Sequence, residues 1–159
     1  MNANLLKKRM VVSMDGGASI GTVEDVLFDT EQLRVTGLVL ELHGAQSILP
    51  FEAVQSIGAD AITVALVEPA AAAPTEAGLN LMRSIDDLLG LRVVDGEAKS
   101  LGEVRSLTID ELTGSLTELE AHSGGMLGLG GHTTVVPAAA IRGIGDDFVT
   151  AEMSAASAG

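Results

Sequence analysis

Two aspartates, three histidines and one glycine-rich loop are the parts of this chain that could do chemistry. Asp29 and Asp110 close similar strands, and a pair of carboxylates can serve acid–base catalysis or hold a metal. Aspartate at the first position of a β-turn has a plainer use, since it accepts hydrogen bonds from the backbone N–H groups that follow. The plainer use is expected for both. His43, His122 and His132 are the only histidines. His122 and His132 flank the loop and can approach across a hairpin, where two imidazoles and a carboxylate would suit zinc. No helical spacing and no third fixed ligand accompany them, so surface histidine is the expected reading.

The loop, Ser123-Gly124-Gly125-Met126-Leu127-Gly128-Leu129-Gly130-Gly131-His132-Thr133, invites a phosphate reading. It lacks the Lys-Ser/Thr pair that completes a phosphate loop, and a strand follows where a helix N-terminus is needed. Two readings stand. The loop is a hairpin tip that offers Met126, Leu127 and Leu129 to a partner, or the tip folds back on the protein.

The elements that must position these residues are repeated. Ile20-Gly21-Thr22-Val23-Glu24-Asp25-Val26-Leu27-Phe28-Asp29 returns as Leu101-Gly102-Glu103-Val104-Arg105-Ser106-Leu107-Thr108-Ile109-Asp110, at an offset of 81. Pro50-Phe51-Glu52-Ala53-Val54 returns as Pro137-Ala138-Ala139-Ala140-Ile141 at an offset of 87, so six residues are inserted between, within the glycine loop. Gly21 and Gly102 sit inside apolar strands, which calls for a bulge or a close backbone approach. Pro50 and Pro137 are expected at the first position of a helical turn. Glu24-Asp25 reads as a solvent-facing pair.

In each copy the pattern reads as short strands with short helical turns. In the first, strands are expected at 9–13, 20–29, 35–42 and 47–49, with a hairpin loop at Ala45-Gln46 and a closing strand through Val64. In the second, Ser84 to Gly90 is a capped helical turn, and strands follow at 91–94, 101–110 and 116–121. The Pro- and Ala-rich run from Glu68 to Thr75 is the clearest boundary. Domains are therefore expected at 1–67 and 84–153, joined by a linker at 68–83 and followed by a disordered tail at 154–159.

Composition narrows the function. With 22 acidic and 9 basic residues the formal charge is -13, which repels phosphate backbones and sets autonomous nucleic-acid binding aside. Cysteine is absent, so disulfides and thiolate chemistry are excluded and a cytoplasmic location is expected. No apolar run reaches the length of a membrane-spanning helix, and none is expected. Aromatic residues are 2% of the chain, so Val, Leu, Ile and Ala build the cores. Units this small bury little surface, and they are expected to lean on each other or on a second chain.

Taken in order, apolar-Gly-x-Val, an Asp closing the strand, an apolar strand, Pro-x-x-x-apolar and Ile-Gly resemble the PRC-barrel superfamily, twice over. The resemblance covers roughly residues 7–66 and 84–152. It implies an all-β protein of two tandem, strongly bent, small antiparallel β-barrels. Members include the cytoplasmic domain of a photosynthetic reaction-centre subunit and the C-terminal domain of a ribosome-maturation factor. No leading membrane helix and no RNA-associated domain is read in this sequence, so neither of those two roles is expected. The resemblance implies adaptor modules with no shared catalytic centre. The expectation is thus a non-enzymatic interaction scaffold without a cofactor, a homodimer that also binds an unidentified protein partner. The alternative is a small-ligand or metal module, with its site between the barrels or at the 122–132 hairpin.

Overall fold

The computed structural model describes residues 1–65, 82–124 and 131–152. Most of the expected linker, the tip residues Met126, Leu127 and Leu129, and the expected tail lie outside the described residues.

The first half runs β1 (Met10–Ser13), β2 (Ser19–Asp29), β3 (Arg34–Leu42), β4 (Ala45–Pro50), a 3₁₀ turn (Phe51–Ala53), β5 (Val54–Ile57) and β6 (Ala61–Val64). Its strand order is β4-β3-β2-β1-β6-β5. A short strand, β7 (Met82–Ser84), and one helical turn, α1 (Ile85–Leu88), lead into the second half. There β8 (Arg92–Asp95), β9 (Ser100–Ile109), β10 (Leu116–Ser123), β11 (His132–Pro137), a 3₁₀ turn (Ala138–Ala140), β12 (Ile141–Ile144) and β13 (Phe148–Ala151) repeat the arrangement as β11-β10-β9-β8-β13-β12. The all-β class and the tandem repeat are as expected. One feature differs. β1 pairs with β6, and β8 with β13, in parallel, because the last strand of each unit returns beside the first in the same direction. Hydrogen bonding does not run from β4 to β5 or from β11 to β12, so each sheet is strongly bent but open.

The apolar spacing explains the bend. Val23 and Val26 are both buried although they stand three apart, which strict alternation forbids. The register of β2 on β3 slips between Val23 and Asp25, leaving Glu24 as an extra residue. In the second half the register slips between Val104 and Ser106, so Arg105 is extra and Leu107 turns inward like Val104. Glu24 and Arg105 hold the same place in the repeat. A bulge at that place turns each long strand around the core.

Two local expectations are corrected. The first-half hairpin turns at His43-Gly44, both at positive φ (52° and 82°), while Ala45 and Gln46 already belong to β4. Two positive φ values make the two-residue turn that matches strand twist. Pro50 and Pro137 are the last residues of β4 and β11, with extended ψ of 140° and 148°; each 3₁₀ turn starts one residue later.

The halves interlock. A 3₁₀ turn, Ala3–Leu6, precedes β1, yet the residues before it pair with the second half: Asn2 bridges Thr108, and Met1 exchanges backbone hydrogen bonds with Ile109. Conversely β7, ahead of the second half, pairs with β2, Ser84 opposite Leu27 and Arg83 opposite Phe28. Thus 82–83, expected in the linker, form part of a strand on the first half. Leu27 and Phe28 correspond to Thr108 and Ile109 in the repeat, so the two exchanges are equivalent. A third contact lies between them. Arg34 bridges Ser115, with Val35 N–H donating to Gly114 C=O and Leu116 N–H donating to Leu33 C=O. Arg34 and Ser115 hold the same repeat position, so a pseudo-two-fold axis passes between them. Ala3, Leu6, Ile85 and Leu88 of the two lead-ins are buried in one core cluster that spans both halves.

Candidate interaction surfaces

The carboxylates singled out for chemistry hold turns. Asp29 Oδ1 accepts from the N–H groups of Glu31 (2.8 Å) and Gln32 (3.0 Å), and Asp110 Oδ1 from those of Leu112 (2.7 Å) and Thr113 (3.3 Å). Asp29 ends β2 and is itself paired with Met82 of β7, whereas Asp110 follows β9 one residue beyond Ile109, which bonds Met1. Asp25 is not the solvent-facing residue expected. Its Oδ1 accepts from Ser84 Oγ at 2.6 Å and from the Val26 N–H at 2.8 Å. Ser84 in turn caps α1 by accepting from Asp86 N–H. Asp86 pairs with Lys7, which follows the opposite lead-in. The hydrogen bond to Asp86 raises the Lys7 pKa above its usual value; partial burial opposes this, and the charges of Asp86 and Asp25 add to the rise.

Gly21 and Gly102 mark close approaches at positive φ (149° and 119°). A Cβ on Gly21 would lie 2.9 Å from Leu40 Cβ, and one on Gly102 only 2.5 Å from the His122 carbonyl carbon. The neighbouring strand thus crosses directly over each glycine.

The histidines do not converge. His122 stands opposite Thr133 and Ser123 opposite His132, so the alternation of side chains puts the two imidazoles on opposite faces of the β10–β11 ribbon. His122 Nδ1 lies 3.1 Å from Thr133 Oγ1 and 3.3 Å from an Arg105 guanidinium nitrogen. His43 occupies the distant first-half hairpin turn. Among the described residues no group of three or more His, Asp or Glu is placed to hold a metal. A metal site built on His122 and His132 together is corrected by this register.

Two kinds of surface remain. One is a groove of about 440 Å³ between the halves, where Thr30, Glu31 and Leu33 face Ile141 to Ile144. Glu31 and Arg142 are its charged residues. The other is the set of terminal strands β4, β5, β11 and β12, each hydrogen-bonded to a neighbour strand on one side within its sheet. β11 combines an edge that pairs with no further strand among the described residues with an outward apolar residue, Val135, which is 47% exposed.

Sequence reasoning missed Lys7, Ser84, Arg34 and Asp86 as residues of the contact between halves. A signal was present: Asn2-Ala3-Asn4-Leu5-Leu6 aligns with Ser84-Ile85-Asp86-Asp87-Leu88 at an offset of 82, so the repeat extends upstream of the first strand.

Bent sheets of this strand order, with their paired glycines, turn aspartates and prolines, define a β-barrel module used twice in one chain. The PRC-barrel domain model matches residues 1–69 and again 81–156. The chain belongs to the PRC-barrel family, as a tandem of two copies. No curated protein matches it. Among the described residues no helix is long and apolar enough to cross a membrane.

Proposed function

We propose that this protein is a non-enzymatic adaptor, acting in the cytoplasm, that binds a protein partner along a free sheet edge. The observation that carries the reading is the β11 edge with exposed Val135, which follows Met126, Leu127 and Leu129 closely in sequence. An unpaired strand offers backbone donors and acceptors to an incoming segment, and an outward apolar side chain adds selectivity. The acids that might have served catalysis are engaged in turns and in the contact between halves, which supports binding over chemistry. Of the two kinds of cover expected for the small barrels, each other or a second chain, the contact between the halves supports the first. A homodimer would accordingly form through the free edges and not through the surfaces that join the halves. The charge of -13 favours a neutral or basic partner.

The test is site-specific photo-crosslinking in the host cell. A photo-reactive side chain at position 135 should capture a discrete adduct that Val135→Lys without the probe competes for poorly, whereas the same probe at Glu97, in the β8–β9 turn, should not. Equal capture at both positions, or none at 135, would sink the reading.

The second reading, a small ligand between the barrels, rests on the Glu31–Arg142 groove. It requires Arg142→Ala to abolish ligand-induced stabilisation; chelator-sensitive melting would instead point to a metal.

A further inference from the structure

The contact between the halves is symmetric in backbone and asymmetric in side chain. At the axis Arg34 faces Ser115, two residues that share one place in the repeat. Its Nε is buried and finds no hydrogen-bond acceptor among the described residues. Beside the axis Phe51 lies against Gly114: a Cβ there would come within 2.9 Å of the Phe51 ring. The corresponding residues on the other side are Ala138 and Leu33, both half-buried against the core. One side therefore sets large against none, and the other small against large. Further out Lys7 pairs with Asp86, whereas their counterparts are Leu89 and Asn4.

We propose that this interface is heterospecific: the first half accepts a second half and rejects another first half. The partner that fits the first-half surface is a barrel with Ser and Gly at the places of Ser115 and Gly114. This goes beyond the adaptor reading and does not depend on it.

Each like pairing fails for its own physical reason. Two first halves on the same axis would set Arg34 directly opposite Arg34, like charges across an antiparallel bridge. They would also press Phe51 onto Leu33 on both sides, which is overpacking. Two second halves would set Ala138 against Gly114 twice, leaving voids where dispersion contacts are lost. They would also face Asp86 with Leu89 in place of a cation. Repulsion in one case and vacancy in the other are the devices that separate a right partner from a wrong one. Any exchange between copies would then join the first half of one chain to the second half of another, never two like halves.

The experiment uses the full-length protein with a protease site inserted within residues 69–75, cleaved after folding. The nicked protein is unfolded in urea, refolded together with an isotopically heavy preparation, and weighed by native mass spectrometry. Pairs of a first and a second half, scrambled between light and heavy, are expected, with like pairs absent. Like pairs in statistical proportion would overturn the proposal. In the Arg34→Ser/Phe51→Ala variant, pairs of first halves should appear; their continued absence would also overturn it. Should the fragments fail to refold, urea unfolding of the uncleaved chain decides. Phe51→Ala should relieve the cost of Gly114→Ala by about tenfold in the unfolding constant, and strict additivity would refute the contact.

Discussion

Gly102 is the residue on which the second half is most tightly hung. Its φ of 119° is unfavourable for any side chain, and a Cβ would meet the backbone of His122 and Ser123 at 2.5 to 2.8 Å. Backbone has no rotamer with which to move aside. At Gly21 the nearest obstacle is the Leu40 Cβ at 2.9 Å, followed by the Glu41 carbonyl at 3.3 Å. Gly102→Ala should destabilise the protein by about 2–4 kcal/mol, more than Gly21→Ala, as read by urea unfolding. Equal small losses would mean that the crossing strands yield. A geometric role for both glycines was legible from their matched places within apolar strands. The turn role of Asp29 and Asp110 was legible too, because aspartate after a strand and before polar residues bonds its own backbone. The partner of Asp25 was not: Ser84 is 59 residues away in sequence, and nothing local in Glu24-Asp25 points to it.

Lead-ins are the elements that sequence reading undervalued. Each is too short to be stable alone, so its propensity says little and its place is decided by what it packs against. Leu6 and Leu88 are buried, and the strand residues just before each turn pair with the opposite half. The bulged strands were half legible. Apolar residues three apart in both copies are the imprint of an extra residue at Glu24 and Arg105, although the pattern alone does not separate a bulge from a helical stretch. Lys7 and Asp86 join the two lead-ins, and this predicts a pH dependence. The Lys7 pKa in the folded state is raised above 10.5. The pair's stabilisation is therefore complete below the unfolded-state value and is lost as pH rises through the folded one. The pair is partly solvent-exposed, so its worth is below ~1 kcal/mol. Lys7→Met should lower the melting temperature slightly at neutral pH and converge with the unmodified protein as pH rises through the Lys7 pKa, so that its alkaline limb is the flatter of the two. An unaltered alkaline limb would show that the pair contributes nothing.

At the scale of the molecule, two units that are each small enough to be marginal become one body by giving each other an edge. The buried residues of both sheets and of the exchanged lead-ins form one cluster, and the Arg34–Ser115 bridge joins the two halves beside it. Tandem architecture was legible because two copies in register betray themselves in sequence. The way they join was not, because a pseudo-two-fold axis relates residues 81 apart through pairings with no local signature. The central claim is that the halves form one cooperative structure, and amide hydrogen exchange tests it most directly. The N–H groups of Val35, Ile109 and Leu116 donate across the boundary to Gly114, Met1 and Leu33. They should exchange as slowly as the Val104 N–H, which bonds Leu91 within the second half, and only through global unfolding. If these three amides exchange rapidly while Val104 stays protected, the halves part freely and the account of an interlocked pair is wrong.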